Sequence, residues 1–181
     1  MVREISAGGV VIRKRGGIWW MAAIEPPTEA GRVIEPAKDG SGKAIALEYP
    51  KKPARHAALR AKSVLSLPKG IVDPGEKPLE SATREVYEET GVTAELIVKL
   101  GDSKYVYTRT WGDGARVFKI VSFYLMRYRS GRINDIAEAM RIEVARARWI
   151  RLDEAAKLLA YGGEKQMASP ALEYVQEHPE L

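Results

Sequence analysis

Three glutamates close together, Glu85, Glu88 and Glu89, are the residues in this chain most able to do chemistry. On a helix of about 3.6 residues per turn they fall within roughly a third of the circumference. Glu85 and Glu89 stand at i, i+4, so their carboxylates face each other, and a like-charge pair in that relation costs a helix about 0.2–0.5 kcal/mol. Arg84 reaches Glu88 at i+4 and neutralises part of the patch, and Glu80 reaches Arg84. A divalent cation between the carboxylates removes the remaining repulsion. Mg²⁺ takes oxygen ligands in octahedral geometry and usually binds one or two carboxylates plus substrate phosphates. Taken alone, the same three residues describe a solvated acidic face.

The elements that must position them are legible on either side. Lys77-Pro78 opens a helix, since proline is tolerated in the first turn, where its missing N–H has no partner to lose. Gly91 closes it with a left-handed cap. Leu79, Ala82 and Val86 form the apolar side. Upstream, Asp73-Pro74-Gly75 is turn chemistry.

Gly70, five residues, Glu76, seven residues, then Arg84-Glu85-Val86-Tyr87-Glu88-Glu89-Thr90-Gly91-Val92 carries every fixed position of a long signature, and in this the stretch resembles the Nudix hydrolases. The resemblance implies an α/β fold, the Nudix α/β/α sandwich with a mixed β-sheet between helices. It implies Mg²⁺-dependent hydrolysis, with Mn²⁺ as a substitute, of the pyrophosphate linkage in a nucleoside diphosphate linked to another group X. On this basis Glu85, Glu89 and the carbonyl of Gly70 are the expected metal ligands. Glu88 is the candidate general base, and Glu76 orients Arg84. The assignment among the three glutamates stays open, because members of the family differ in which carboxylate takes the proton. Glu143 resembles the acidic residue that many members bring to the metal from outside the motif. Lys69, a mobile point charge beside the loop, and Lys119, which resembles a basic residue of polyphosphate-binding members, are the expected substrate contacts. SLPKGIVDPGE resembles the branch that includes diadenosine polyphosphate and diphosphoinositol polyphosphate hydrolases and MutT-like enzymes. A dinucleoside polyphosphate is the favoured substrate. The alternatives are a nucleoside triphosphate, ordinary or oxidised, and a module that senses a nucleotide without cleaving it.

The chain has 181 residues, 45% of them apolar and 29% charged, which suits one domain with a sizeable core. It has no cysteine, which excludes disulfides and thiolate metal sites. No apolar run approaches the roughly 20 residues of a membrane span, and the first residues lack a signal core, so a cytoplasmic protein is expected. The net charge of +5 suits a small polyphosphate partner. Nucleic acid is disfavoured because no aromatic-rich RNA signature accompanies the charge. A monomer or homodimer is expected.

Along the chain, strands are expected at residues 4–14, 18–24, 63–67, 93–100, 104–111, 117–128 and 143–151, with helices at 154–160 and 169–177. The first two make a hairpin, and Gly8-Gly9 marks a close backbone approach or a bulge. Gly112-Asp113-Gly114 turns a second hairpin. Tyr105, Tyr107 and Trp111 are either packing or stacking groups. Residues 25–62 read as a loop-like insertion with a short strand at 44–49. Its end carries Lys51, Lys52 and Arg55 without an acidic partner, so it is either a basic lid or a solvated loop. His56 has no metal partner and is given no catalytic role.

Overall fold

The computed structural model describes residues 2–27, 64–108 and 114–181. The expected strand at 44–49, the basic end of the insertion, Trp111 and most of the second turn lie outside the described residues.

The first hairpin forms as expected. β1 (Val2–Arg15) and β2 (Ile18–Glu25) pair antiparallel from Ile12↔Met21 to Arg15↔Ile18. Gly16 and Gly17 between them have φ of 60° and 76°, the twin positive values that a two-residue turn requires. β2 pairs with β1 only at that end. In the gap beyond, Ser66 exchanges two 2.9 Å backbone hydrogen bonds with Ile24, and β3 (Lys69–Ile71) pairs antiparallel with Ser6–Gly8. β4 (Val92–Thr108) and β5 (Arg116–Gly131) are antiparallel, and β6 (Arg146–Arg151) lies against β2. β5 runs parallel to β1, from Val2↔Val117 to Ile12↔Arg127. The sheet is therefore mixed, in the order β4-β5-β1-β2-β6.

Helices cover both faces. α1 (Pro78–Thr90) buries Ala82 and Val86 on Ala7, Val11, Ala22 and Met126. On the other face α3 (Gly162–Glu177), preceded by the single turn α2 (Ala155–Leu158), buries Met167, Ala168, Ala171 and Val175 with Val10, Ile12, Met21 and Phe123. Successive residues of a strand point to opposite faces. That is why β1 alternates between the two clusters and why its apolar run is nearly continuous. Each large apolar side chain so buried contributes about 1.5–3 kcal/mol relative to exposure. This is the α/β/α arrangement expected from the sequence.

Gly8-Gly9 proves to be a close approach. A Cβ on Gly8 would lie 2.4 Å from the Pro68 carbonyl oxygen, and one on Gly9 2.5 Å from Val86 Cγ2. Four expectations need correction. Residues 93–100 and 104–108 belong to one strand, because register shifts between Leu96 and Val98 and between Lys99 and Gly101 absorb the glycine without ending the pairing. Residues 64–67 make only isolated bridges, and the regular strand begins at Lys69. The expected 154–160 helix shrinks to the four residues of α2, while α3 begins at Gly162 and runs through Pro170. Proline inside a helix costs about 3 kcal/mol, here offset by the buried face that α3 presents on both sides of it. Finally, the last strand starts at Arg146, and Glu143 caps a 3-10 turn, Glu138–Ile142.

Candidate active site

α1 begins with Glu80 accepting the backbone N–H of Lys77 at 2.9 Å, so Glu80 caps the helix rather than pairing with Arg84 as expected. It ends at Gly91, whose φ of 77° allows the sharp exit into β4. Between these ends the acidic side faces the loop that leads into β3.

Arg84 is the hub of that side. Its Nε and Nη2 donate to the two oxygens of Glu76, each at 3.0 Å, a bidentate pair. Nη2 also donates to the Ile71 carbonyl at 3.2 Å, while Nη1 donates to Glu85 Oε1 at 2.7 Å and Glu88 Oε2 at 3.1 Å. The guanidinium holds the Glu76 carboxyl down at about 2, and Glu76 in turn holds the Arg84 proton more firmly than usual.

Glu85 and Glu89 are buried, at 8% and 5% exposure. The Glu85 carboxylate lies against Gly70: a Cβ there would sit 2.0 Å from Glu85 Oε1, so any larger residue would displace that carboxylate. Glu89 Oε2 accepts the backbone N–H of Lys69 at 2.8 Å. Burial pushes both carboxyls up, Glu89 to about 8; Arg84 opposes the shift at Glu85, and the charge of Glu143 adds to it at both. Glu88 is the more open of the three, with its side chain 36% exposed. Glu143 is exposed and its charge reaches the same group, although its backbone is not in a strand.

A cavity of about 740 Å³ opens beside these residues, lined among others by Lys69, Glu89, Glu143, Tyr105, Tyr161 and Glu164. Glu85 and Glu88 do not line it, and neither does Lys119, which is paired with Glu4 at 2.5 Å on the outer part of β5. Lys69 is not a mobile charge. Its ammonium donates to Ser66 Oγ at 2.8 Å and lies 2.9 Å from Glu164 Oε1. Glu164 and Tyr161 had no local signal in the sequence. They reach the cavity only because α3 packs across the sheet from α1.

An all-oxygen donor set with two buried carboxylates suits a hard divalent cation such as Mg²⁺ or Mn²⁺, which would offset the desolvation that burial imposes on their charges. Among the described residues no three acidic or imidazole groups converge on one point, so Glu85 and Glu89 would need the backbone or a substrate to complete a coordination shell.

A mixed sheet covered by helices on both faces, with an acidic helix set against a glycine loop, defines an α/β/α sandwich. Residues 39–170 match the family described as the NUDIX domain, and the chain belongs to that family. The MutT4 sequence of Mycobacterium tuberculosis is 37% identical over 116 residues, 64% of this chain and 44% of that protein. The rat bis(5'-nucleosyl)-tetraphosphatase [asymmetrical] is 36% identical over 95 residues, 52% of this chain and 60% of that protein. The chain thus spans about half the length of these relatives. Among solved structures, a Caenorhabditis elegans Ap4A hydrolase binary complex superposes with a TM-score of 0.57 at 16% identity, over 96% of this chain and 98% of that one. The NUDIX domain of Shewanella oneidensis NrtR, complexed with ADP ribose, gives 0.56 at 15% identity, over 97% and 90%. At such identities the two superpositions speak for the fold.

Proposed function

We propose that the chain is a Nudix pyrophosphohydrolase that cleaves the phosphoric anhydride of a nucleoside diphosphate linked to X, with a dinucleoside polyphosphate as the favoured substrate. The observation that carries this reading is the pair of buried carboxylates, Glu85 and Glu89, packed on the Gly70 loop beside a cavity of about 740 Å³.

In this reading Glu85, Glu89 and the Gly70 carbonyl hold a divalent cation, Mg²⁺ or Mn²⁺. When bound, that ion neutralises charge on the phosphoryl oxygens and lowers the pKa of the attacking water. Glu88 is the base. It is open to solvent and held by Arg84 Nη1 at 3.1 Å, so it is fixed in place to accept a proton from water. Arg84, clamped by Glu76, keeps the acidic side of α1 and the carbonyl of Ile71 in register. Glu143 supplies a further carboxylate at the cavity wall. Tyr105 and Tyr161, 43% and 53% exposed on that wall, offer faces on which a base stacks. Lys119 meets the distal phosphates only by leaving Glu4. The rat tetraphosphatase among the relatives supports the dinucleoside substrate, and a putative 8-oxo-dGTP diphosphatase of Bacillus subtilis, similar over a short stretch, keeps nucleoside triphosphates as the alternative. One domain in the cytoplasm, acting on a small-molecule partner, completes the proposal.

The test is product chromatography over a panel of dinucleoside polyphosphates, nucleoside triphosphates and ADP ribose, with and without Mg²⁺. Metal-dependent release of a mononucleotide from the dinucleoside polyphosphates is expected. Tight binding without cleavage of any member would replace this reading by the nucleotide-sensing one.

A further inference from the structure

Glu164 stands in the first turn of α3, on the opposite side of the sheet from α1, and is 3% exposed. A buried carboxylate needs partners, and removing one side of such a group leaves the other uncompensated. Glu164 has three. Its Oε2 accepts the backbone N–H of Leu67 at 2.9 Å, and its Oε1 accepts the Ser66 hydroxyl at 2.9 Å and pairs with Lys69 Nζ at 2.9 Å. All three belong to the short segment that leads into β3. The Lys69 ammonium is fully engaged by Glu164, by Ser66 Oγ at 2.8 Å and by the Leu67 carbonyl at 3.4 Å, which leaves it no spare donor for a phosphate. The same residue's backbone N–H goes the other way, to Glu89 Oε2 at 2.8 Å, and the next residue is Gly70. A continuous chain of polar contacts therefore runs from α3 through Ser66–Lys69 to the buried Glu89 of α1.

We propose that Glu164 is a positioning residue for the cation site: by fixing Ser66, Leu67 and Lys69 it sets the direction of the Lys69 N–H toward Glu89 and the placement of the Gly70 carbonyl. This rests on the reading of Glu85, Glu89 and Gly70 as the cation ligands. Lys69 acts as the tie of a loop. Residues that orient metal ligands from behind typically change affinity by about 10–100-fold when altered.

The experiment measures Mn²⁺ binding to the full-length, metal-stripped chain by calorimetry, without nucleotide. Glu164→Gln keeps the volume but replaces an acceptor with an amide that cannot satisfy both Leu67 and Lys69. It is expected to weaken Mn²⁺ by about 10-fold or more, and Ser66→Ala, which removes the hydroxyl's bonds to Glu164 and Lys69 but leaves those two charges paired with each other, to weaken it less in the same direction. Val175→Ala, deep on α3 and away from the cavity, is the stability control: with a comparable fall in Tm it should bind Mn²⁺ like the wild type. Unchanged Mn²⁺ affinity in Glu164→Gln overturns the proposal, as does an equal loss in Val175→Ala or a wild-type chain that binds no Mn²⁺. A lower KM for nucleotide in Glu164→Gln with unaltered Mn²⁺ affinity also overturns it, because Glu164 would then only compete with phosphate for Lys69. If the wild type cleaves no nucleotide while the Mn²⁺ pattern holds, the hydrolase reading fails and this one stands.

Discussion

Glu89 stays protonated, without a cation, to a pH at which an ordinary carboxyl has long ionised, because burial outweighs the two interactions that favour its charge, both from Lys69. Its pKa is about 8 in the fold against 4.5 for the free group. Between those values the folded chain keeps a proton that the unfolded chain has released. The contribution to stability is therefore whole below the lower value and is lost as pH rises through the upper one. The Tm of the metal-stripped protein should fall across that window, more steeply than in Glu89→Gln, whose side chain has no charge to desolvate. Scanning calorimetry of both proteins across the window checks it, and equal slopes would disprove it. Glu88 is a different case on the same helix. Open and held by Arg84, it should be dispensable for binding the cation and needed for turnover. Glu88→Gln is expected to lower kcat by about 10²–10⁴ while Mn²⁺ affinity holds, whereas Glu85→Gln weakens Mn²⁺. Equal loss of Mn²⁺ in the two variants would make Glu88 a ligand and turn the search for the base to Glu143.

Between elements, two glycines do different work, and their alanine variants should separate. Gly9→Ala puts a methyl 2.5 Å from Val86 Cγ2, where α1 crosses β1. Overpacking of that kind costs about 1–3 kcal/mol, so Tm should drop while kcat per folded molecule changes little. Gly70→Ala drives its methyl into the Glu85 carboxylate and should remove activity beyond any change in Tm. Thermal melts paired with turnover on folded protein decide it, and identical profiles for the two variants would refute the distinction. The sequence made the span of α1, its Gly91 cap and the Arg84–Glu88 pair readable, because these follow helical spacing, whereas the capping role of Glu80 and the contact of Arg84 with Ile71 depend on the loop before the helix. Glu164, Tyr161 and the pairing of Lys69 with Glu164 were not readable, since they depend on α3 crossing from the other end of the chain. β4 was read as two strands because a Gly-Asp-Ser sequence looks like a break, whereas neighbouring β5 supplies enough backbone partners to carry the strand through its bulges. Pro170 hid the first half of α3 for the converse reason: local propensity argued against a helix that packing sustains.

Across the whole molecule, a net charge of +5 sits around a site built from carboxylates. Lys51, Lys52 and Arg55, outside the described residues, open a run with no acidic residue from Tyr49 to Val72. If they help to hold polyphosphate, replacing all three by Ala should raise KM more than it lowers kcat, increasingly so with phosphate number and less so at high salt. A KM that ignores chain length and salt would assign the segment a role away from the substrate.

The parallel pairing of β1 with β5 also shapes how the protein comes into being. Val2 lies against Val117 and Ile12 against Arg127, so β1 is completed by a strand made long after it. During synthesis the β1–β2 hairpin leaves the ribosome before β5 exists, with one edge of β1 bare, and an unpaired edge is a template for other chains. Contacts so distant in sequence form slowly. Nascent chains stalled before Arg116 should accordingly be protease-sensitive and bound by chaperones, and protection should appear only once β5, β6 and α3 have all left the ribosome.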